Sequence, residues 1–284
     1  MSELASNFMG LGEAPASSAR LTPQGPGALH RTLFISDCHL GSKNAKATYL
    51  LDFLRANEAD TLYLVGDIID GLQLKRSGFW DETHSAVLEA IFQKAASGTQ
   101  VIYIPGNHDA WLRTYAGHRW AGIDIRLEDT FEAADGRRYL VTHGDAYDGF
   151  CQRSKLTVAV GDIAYTACTT ANNLINRARR RLGRPYWPAT ALLKRHLKGA
   201  RALIERFEAG LVAEADRRGV DGVICGHIHH AALQTREGLA YCNTGDWVES
   251  CTALVEDQDG RLRLVHGTEI TQIWFTADAL AKAA

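Results

Sequence analysis

Short apolar runs alternate with longer amphipathic stretches along most of the chain. The short runs are rich in Val, Ile, Leu and Tyr and are bounded by Gly, Asp or Asn, which is typical of buried strands. The longer stretches repeat apolar residues at spacings of three and four, and this predicts helices over Ala45–Ala56 and Glu82–Ala96. The predicted strands are Thr32–Ile35, Thr61–Val65, Gln100–Ile104, Arg138–Thr142, Asp221–Cys225, Leu239–Asn243, Cys251–Val255 and Leu262–Val265.

The order of these elements predicts an α/β fold. Alternating strands and helices in the first half indicate βαβ crossovers and a parallel-rich sheet, whereas the closely spaced C-terminal strands predict antiparallel pairing. We expect residues 1–30, which lack apolar periodicity, to form a flexible tail, and residues 31–284 to form one domain. From about 150 to 218 no strand pattern occurs, and a helical insertion is predicted there.

The composition is that of a globular protein. The chain has 284 residues, of which 46% are hydrophobic and 23% charged, and these fractions exclude wholesale disorder and a coiled coil. No uncharged apolar stretch reaches transmembrane length, and the first 30 residues lack the basic and apolar regions of a secretory signal. We therefore expect a cytoplasmic protein whose six cysteines, without a CxxC pair, are buried reduced thiols.

Positive charge is concentrated in the predicted insertion. Residues 163–204 contain nine Lys and Arg and no Asp or Glu, so a chain with net charge −2 carries −11 elsewhere. This predicts contact with an anionic ligand or a peripheral contact with an anionic membrane, and the alternative is a solvated basic helix face. The near-neutral net charge and the few aromatic residues disfavour nucleic acid. The candidate substrate-binding residues are Arg179, Arg180, Arg181 and Arg184.

Five predicted strands end in residues that commonly bind metal ions. A single Asp or His at such a position is more often a cap or turn residue, but five clusters at the same end of five strands indicate a shared crevice. Carboxylates, imidazoles and an amide oxygen suit Mn, Fe, Zn or Co ions. Seven candidates fit two ions about 4 Å apart better than one. They are Asp37, His39, Asp67, Asn107, His143, His227 and His229.

The ordered motifs resemble those of the calcineurin-like metallophosphoesterases. They read Asp37-x-His39, Gly66-Asp67-x-x-Asp70, Gly106-Asn107-His108-Asp109, His143-Gly144-Asp145 and Gly226-His227-x-His229. The resemblance covers about residues 31–266 and implies a four-layer αββα sandwich that hydrolyses phosphate esters with two divalent ions. It implies that Asp67 bridges the ions. One ion would take Asp37, His39, Asp67 and His229, and the other Asp67, Asn107, His143 and His227. His108 would contact the scissile phosphate or protonate the leaving oxygen, and Asp70 would orient it.

Other polar residues near the motifs are expected to have structural roles. Asp109 and Asp145 are predicted to fix loops or support ligands, and Cys38 is predicted to pack in the turn between two ligands. The histidines outside the motifs are predicted to lie at the surface; they are His30, His84, His118, His196 and His266.

Within this superfamily the opening motif and the helical insertion resemble the UDP-2,3-diacylglucosamine pyrophosphatases. That resemblance implies manganese, with iron or zinc as alternatives, a nucleotide-linked lipid substrate, and an insertion that caps the site. One position departs from it, because His108 stands where that family has Arg. Another lipid phosphate or a nucleotide is therefore an alternative substrate. A non-catalytic interaction module is disfavoured, since every metal ligand of the pattern is present.

Overall fold

The computed structural model describes residues 28–148, 175–176, 178–179 and 198–267. Its helices are α1 (Ala47–Ala56), α2 (Gly71–Ser77), α3 (Glu82–Ala96) and α4 (Lys198–Arg218), with short 3-10 helices at Ala110–Tyr115 and Asp145–Tyr147. Its first six strands are β1 (Ala28–Ile35), β2 (Asn57–Val65), β3 (Gln100–Ile104), β4 (Arg119–Trp120), β5 (Ile123–Ile125) and β6 (Asp129–Glu132). The others are β7 (Arg138–Val141), β8 (Gly222–Cys225), β9 (Ala232–Arg236), β10 (Leu239–Asn243), β11 (Thr252–Glu256) and β12 (Leu262–His266).

The described strands form two sheets, the first built around four parallel strands and the second around three. The first sheet has the order β12-β11-β1-β2-β3-β5-β4, in which β1, β2, β3 and β5 are parallel and the outer strands pair antiparallel. The second has the order β6-β7-β8-β10-β9, with β7, β8 and β10 parallel. The parallel strands of both sheets have polar residues at their carboxyl ends, where the candidate site residues lie.

The two sheets and the helices form four layers. Successive residues of β1 show the arrangement: Leu33 and Ile35 pack with α1 and α3, whereas Phe34 packs between the sheets against Tyr63 and Phe131. Both faces of these strands are therefore buried, which explains their unbroken apolar runs. Phe207 and Leu211 of α4 cover the outer face of the second sheet. The αββα sandwich inferred from the sequence is confirmed.

The structure extends or adds elements mainly where the apolar pattern is weak. The predicted bounds of α3, β3 and β10 agree with the structure. β1 begins at Ala28, inside the predicted tail of residues 1–30, because Ala28–His30 pairs with Asn57–Ala59 of β2. Periodicity did not predict α2, β4, β5, β6 and β9, because their short or mixed polar sequences carry little of it.

Only part of the predicted insertion lies among the described residues. Its last 21 residues are α4, which packs on β8 and β10 as an outer-layer helix. Residues 149–174, 177 and 180–197 lie outside the described residues, so the cap is still a prediction. None of the described helices combines the length and the apolar character needed to cross a bilayer. Within the described part, Cys38, Cys225, Cys242 and Cys251 are buried and form no disulfide.

Candidate metal centre

The carboxyl ends of the central strands from both sheets meet at one edge of the sandwich. Asp37 follows β1 and Asp67 follows β2, while His143 follows β7 and His227 follows β8. His143 Nε2 lies 3.4 Å from Asp67 Oδ2, so a side chain of the second sheet meets one of the first. The structure therefore brings together residues that are separated by more than 70 positions in the sequence, as predicted from the motifs.

The backbone at this edge is strained. Five of the seven predicted ligands have positive φ angles, between 49° and 71°; they are Asp37, His39, Asp67, His227 and His229. Asp and His tolerate this left-handed region better than most residues, but it still costs about 1–3 kcal/mol at each position. Such strain clusters at functional sites, where the surrounding packing holds it.

Two glycines allow the loops to approach the candidate ligands closely. A side-chain Cβ at Gly106 would overlap the Asp67 carboxylate and the His143 imidazole, and one at Gly226 would overlap Asp37. Both positions therefore exclude any larger residue, which explains why glycine precedes the Asn-His-Asp and His-x-His motifs.

Asp37 uses one oxygen for the scaffold and directs the other into the site. Its Oδ2 accepts hydrogen bonds from the Ser36 hydroxyl and from the His227 backbone N–H, the latter at 2.9 Å. Its Oδ1 is buried, makes no hydrogen bond, and lies 3.2 Å from His229 Nε2. On the other side of that ring, Asp246 Oδ1 lies 3.9 Å from His229 Nδ1.

Asp67 lies at the centre of the cluster. Its Oδ1 accepts a hydrogen bond of 2.8 Å from the His108 backbone N–H. Its Oδ2 is 3.4 Å from His143 Nε2 and 3.9 Å from His39 Nε2, so it faces rings from both sheets. The His143 ring is fixed from behind, because its Nδ1 donates to the Val65 carbonyl at 2.9 Å. This bond leaves Nε2 as the nitrogen that faces Asp67.

Asp70 joins two histidines through its two carboxylate oxygens. Oδ2 lies 3.0 Å from His39 Nδ1, and Oδ1 lies 2.9 Å from His108 Nδ1. The same residue caps α2, since Oδ1 also accepts from the Gln73 N–H at 2.8 Å. Both rings are thereby oriented, with Nε2 of His39 facing Asp37, Asp67 and His229. The predicted orienting contact between Asp70 and His108 is present in the structure.

In the metal-free protein, the buried carboxylates and imidazoles of the cluster stabilise each other's charged forms. Burial raises the pKa of Asp67, but the neighbouring His143 and His39 outweigh it and the net pKa falls well below the usual value. Burial lowers the pKa of His39, yet its hydrogen bond to Asp70 and the nearby carboxylates raise it to about 9. In the same way burial lowers the pKa of His143, while Asp67 raises it to about 10. Without metal, protons on these imidazoles balance the buried carboxylates.

Three groups of side chains have ligand atoms close enough to share an ion. They are Asp37, His39 and His229; His39, Asp67 and His108; and Asp67, His143 and His227. The buried Asp37 Oδ1 and His143 Nε2 make no hydrogen bond, as expected of atoms that bind metal. Oxygen and nitrogen donors of this kind fit divalent transition-metal ions.

The other predicted site residues lie at the rim or beyond the described chain. The Asn107 side chain is exposed beside His108, and His227 Nε2 lies 3.1 Å from Asp148 Oδ2. Arg179 lies in a short described helical segment and is partly exposed. Arg180, Arg181 and Arg184 lie outside the described residues.

Two further acids, Asp246 and Asp148, contact the histidines of the last motif and were not predicted from the sequence. Asp246 is fully buried, caps the following turn through the Val248 N–H, and approaches His229. A signal for Asp246 exists, because Asn243-Thr244-Gly245-Asp246 is one more polar cluster after a predicted strand. Asp148 belongs to no motif, and only the fold places it beside His227.

Two of the histidines predicted at the surface are buried. His30 is 4% exposed and lies 3.0 Å from the Asn57 side chain, while His84 is 2% exposed. His84 accepts a hydrogen bond of 3.1 Å from the Gly41 N–H and packs edge-on against Phe79 and Trp80. The prediction of surface positions was wrong for both, because a histidine outside the motifs can still be buried for structural reasons.

Asp109 holds together the loops that carry Asp67 and Asn107, as the sequence predicted. It is fully buried and accepts hydrogen bonds from the Ile68 N–H at 2.8 Å, the Gly106 N–H at 2.6 Å and the Tyr103 hydroxyl at 2.6 Å. The predicted loop-fixing role of Asp145 also fits the structure, since Arg113 donates to it at 2.8 Å.

Asp109→Ala is expected to lower the free energy of unfolding of the metal-free protein by about 3–4 kcal/mol, because three buried donors lose their acceptor. Urea denaturation measures this loss. Asp109→Asn retains one acceptor oxygen and should lose clearly less. Equal stability of wild type and Asp109→Ala would contradict the assigned role.

Comparisons with known proteins agree with the geometry. The calcineurin-like phosphoesterase family profile matches residues 30–231. The chain is 32% identical over 252 residues to a UDP-2,3-diacylglucosamine hydrolase of Xanthomonas campestris pv. campestris, covering 81% of this chain and 96% of the relative. It is 32% identical over 253 residues to the protein of that name from Stenotrophomonas maltophilia, again covering 81% and 96%.

Among solved structures, the E. coli phosphoesterase YfcE matches 87% of this chain and 98% of its own, with a TM-score of 0.45 and 15% identity. The family profile spans most of the chain, and the relatives match it over nearly their full length. The chain therefore belongs to the calcineurin-like phosphoesterase family and is a metal-dependent phosphoester hydrolase.

Proposed function

We propose that this chain uses two divalent metal ions to cleave a phosphate bond in a nucleotide-linked lipid. The observation that carries the two-ion proposal is the position of Asp67, which belongs both to a group with His39 and to a group with His143 and His227. A shared carboxylate between two sets of nitrogen and oxygen donors is the arrangement that two-metal phosphoryl chemistry requires.

We assign the ligands in two overlapping sets. One ion takes Asp37, His39, Asp67 and His229, and the other takes Asp67, Asn107, His143 and His227. The first set agrees with the hydrogen-bond-free Asp37 Oδ1 and its 3.2 Å contact with His229. The second agrees with the hydrogen-bond-free His143 Nε2 beside Asp67. Manganese is the proposed metal, with iron and zinc as alternatives for the same donors.

The protein's own residues position the reaction. Two bound ions would activate a water nucleophile and neutralise charge on the phosphoryl oxygens. His108 is assigned to the scissile phosphate or the leaving oxygen, since its Nδ1 contacts Asp70 and its side chain is 28% exposed at the rim. Asp70 fixes the tautomer and the direction of that ring.

The proposed substrate is UDP-2,3-diacylglucosamine. This compound appears in the names of the relatives that this chain matches over 96% of their length. The experiment is hydrolysis with Mn²⁺ of UDP-2,3-diacylglucosamine, a lipid phosphomonoester, a dinucleotide and single-stranded DNA, under identical conditions. We expect the nucleotide-linked lipid to have the highest kcat/KM. Preferred turnover of the lipid phosphomonoester would instead support another lipid phosphate as the substrate, the alternative that His108 raises. Preferred turnover of the dinucleotide or the single-stranded DNA would refute a lipid substrate.

The basic part of the insertion is proposed to bind the charged portion of that lipid. Changing Arg179, Arg180 and Arg181 together to Glu should raise the KM for an acylated substrate by about tenfold or more, because three attractive charges become repulsive. Turnover of bis(p-nitrophenyl) phosphate should change little, because the metal ligands are untouched. Equal losses on both substrates would mean that the segment supports the fold or the metal site. No change on either would identify a solvated helix face.

Metal binding should release about two protons per protein at pH 7. The raised pKa values of His39, about 9, and His143, about 10, mean that both rings are protonated at pH 7 and must lose a proton to bind metal. Apparent affinity should therefore rise as the pH rises toward 9. Calorimetric titration with Mn²⁺ in Pipes and Tris measures the released protons through the buffer ionisation heats. His118→Ala, at an exposed histidine, should leave the number unchanged. A binding enthalpy that is independent of the buffer would contradict the prediction.

A further inference from the structure

Four large apolar side chains are exposed on the two segments that flank His108. Leu72 of α2 is 44% exposed, and Trp111, Tyr115 and Trp120 are 49%, 37% and 44% exposed. These residues are not part of the metal cluster, and the reaction assigned above does not use them. We call them, together with Lys75 and Arg76, the aromatic rim.

The two segments are in contact beside the candidate metal centre. The Gly71 N–H donates to the His108 carbonyl at 3.1 Å, and a Cβ on Gly71 would lie 3.3 Å from Trp111 Nε1. Leu72 follows Gly71, so the first turn of α2 lies beside the indole of Trp111. Farther along, the rings of Tyr115 and Trp120 pack against each other at an interplanar angle of 51°, with centroids 4.3 Å apart. Trp111 and Tyr115 belong to the same 3-10 helix, Ala110–Tyr115, which begins two residues after His108 and so connects the two parts of the rim.

The charge around these side chains is positive. Residues 71–80 and 110–120 contain no Asp or Glu. Arg113 pairs with Asp145 of the second 3-10 helix, and Arg119 pairs with Asp124 of β5. Lys75 and Arg76 are exposed and form no ion pair with any described residue. Exposed indole and phenol rings beside unpaired cations are typical of surfaces that rest in the headgroup region of an anionic bilayer.

We propose that the aromatic rim docks on an anionic membrane and thereby presents the metal centre to lipid-linked substrate. This inference rests on the proposed lipid substrate and adds a contact outside the basic insertion. Tryptophan and tyrosine also occur at protein interfaces, but the positive charges of Lys75 and Arg76 favour an anionic bilayer over a protein partner. Because the rim lies close to His108, docking would bring the metal centre to the membrane surface. A membrane-anchored substrate could then reach the site without leaving the bilayer.

Sedimentation of the metal-loaded, full-length protein with substrate-free vesicles of phosphatidylcholine containing about 30% phosphatidylglycerol tests the docking. Trp111→Ser combined with Trp120→Ser should lower the partition coefficient by about tenfold or more. Lys75→Gln with Arg76→Gln should lower it about tenfold on these vesicles and little on neutral ones. Phe92→Ser, at an aromatic residue of α3 that is 44% exposed and outside the rim, should bind like wild type. Hydrolysis of bis(p-nitrophenyl) phosphate reports that each variant is folded and loaded.

The proposal is overturned if wild type does not bind these vesicles or if the rim variants bind equally well. It is also overturned if the tryptophan variants dissociate an oligomer in size-exclusion chromatography with light scattering, because the rim is then a contact between copies. Because the vesicles contain no substrate, the result is independent of the proposed function. Rim-dependent binding without hydrolysis of UDP-2,3-diacylglucosamine would refute that substrate and leave the docking surface established.

Discussion

Asp67→Ala is expected to deplete both metal ions together and to lower hydrolysis by at least about a thousandfold. Asp67 is 2% exposed and contacts histidines from both sheets, with His143 Nε2 at 3.4 Å and His39 Nε2 at 3.9 Å. Its removal takes a ligand from each proposed ion. It also leaves two imidazoles, whose pKa values the carboxylate holds high, without their counter-charge.

Metal content by mass spectrometry and the rate with bis(p-nitrophenyl) phosphate measure these losses on the same sample. Asp60→Ala is the matched control, because it makes the same change at an exposed position on β2, the strand that Asp67 follows. It should retain both ions and the full rate. Loss of only one ion in Asp67→Ala would show that the carboxylate belongs to a single site. Unchanged metal content and rate would refute the centre altogether.

The sequence could predict that the candidate ligands lie close together, because parallel strands align their carboxyl ends. Asp37 and Asp67 each follow an apolar run, and the parallel pairing of β1 with β2 places both runs in register. The meeting of the two sheets could not be derived from periodicity. It followed from the family resemblance, and the 3.4 Å contact of His143 with Asp67 agrees with it.

The supporting groups were harder to predict because they depend on the paths of loops. Asp246 reaches His229 only because the Trp247 N–H donates to the Asp37 carbonyl at 3.0 Å and holds the 244–250 loop against the site. Burial of His84 likewise depends on the packing of α3 against the Gly41 turn. Neither contact has a spacing rule in the sequence. The edge strands β4 and β9 were missed for a similar reason. They are strands because they pair with β5 and β10, and their own sequences have little apolar pattern.

His108→Ala is expected to retain both ions and to lower turnover by about a hundredfold to a thousandfold. The side chain contacts Asp70 through Nδ1 at 2.9 Å, whereas its backbone N–H donates to Asp67, and alanine preserves that backbone bond. The variant therefore removes the ring from the rim without removing the hydrogen bond that orients Asp67. Metal content should stay at the wild-type level. His118→Ala, at an exposed histidine ten residues farther along, should affect neither quantity.

The leaving group distinguishes the two roles that His108 could have. If the ring protonates the leaving oxygen, the loss in His108→Ala should be large for an alkyl phosphodiester and small for a nitrophenyl ester, whose leaving group needs no proton. If the ring stabilises charge on the phosphoryl oxygens, both substrates should lose the same factor. His108 also lies within ligand distance of His39 and Asp67. Metal loss as severe as in Asp67→Ala would therefore make His108 a metal ligand and refute both catalytic roles.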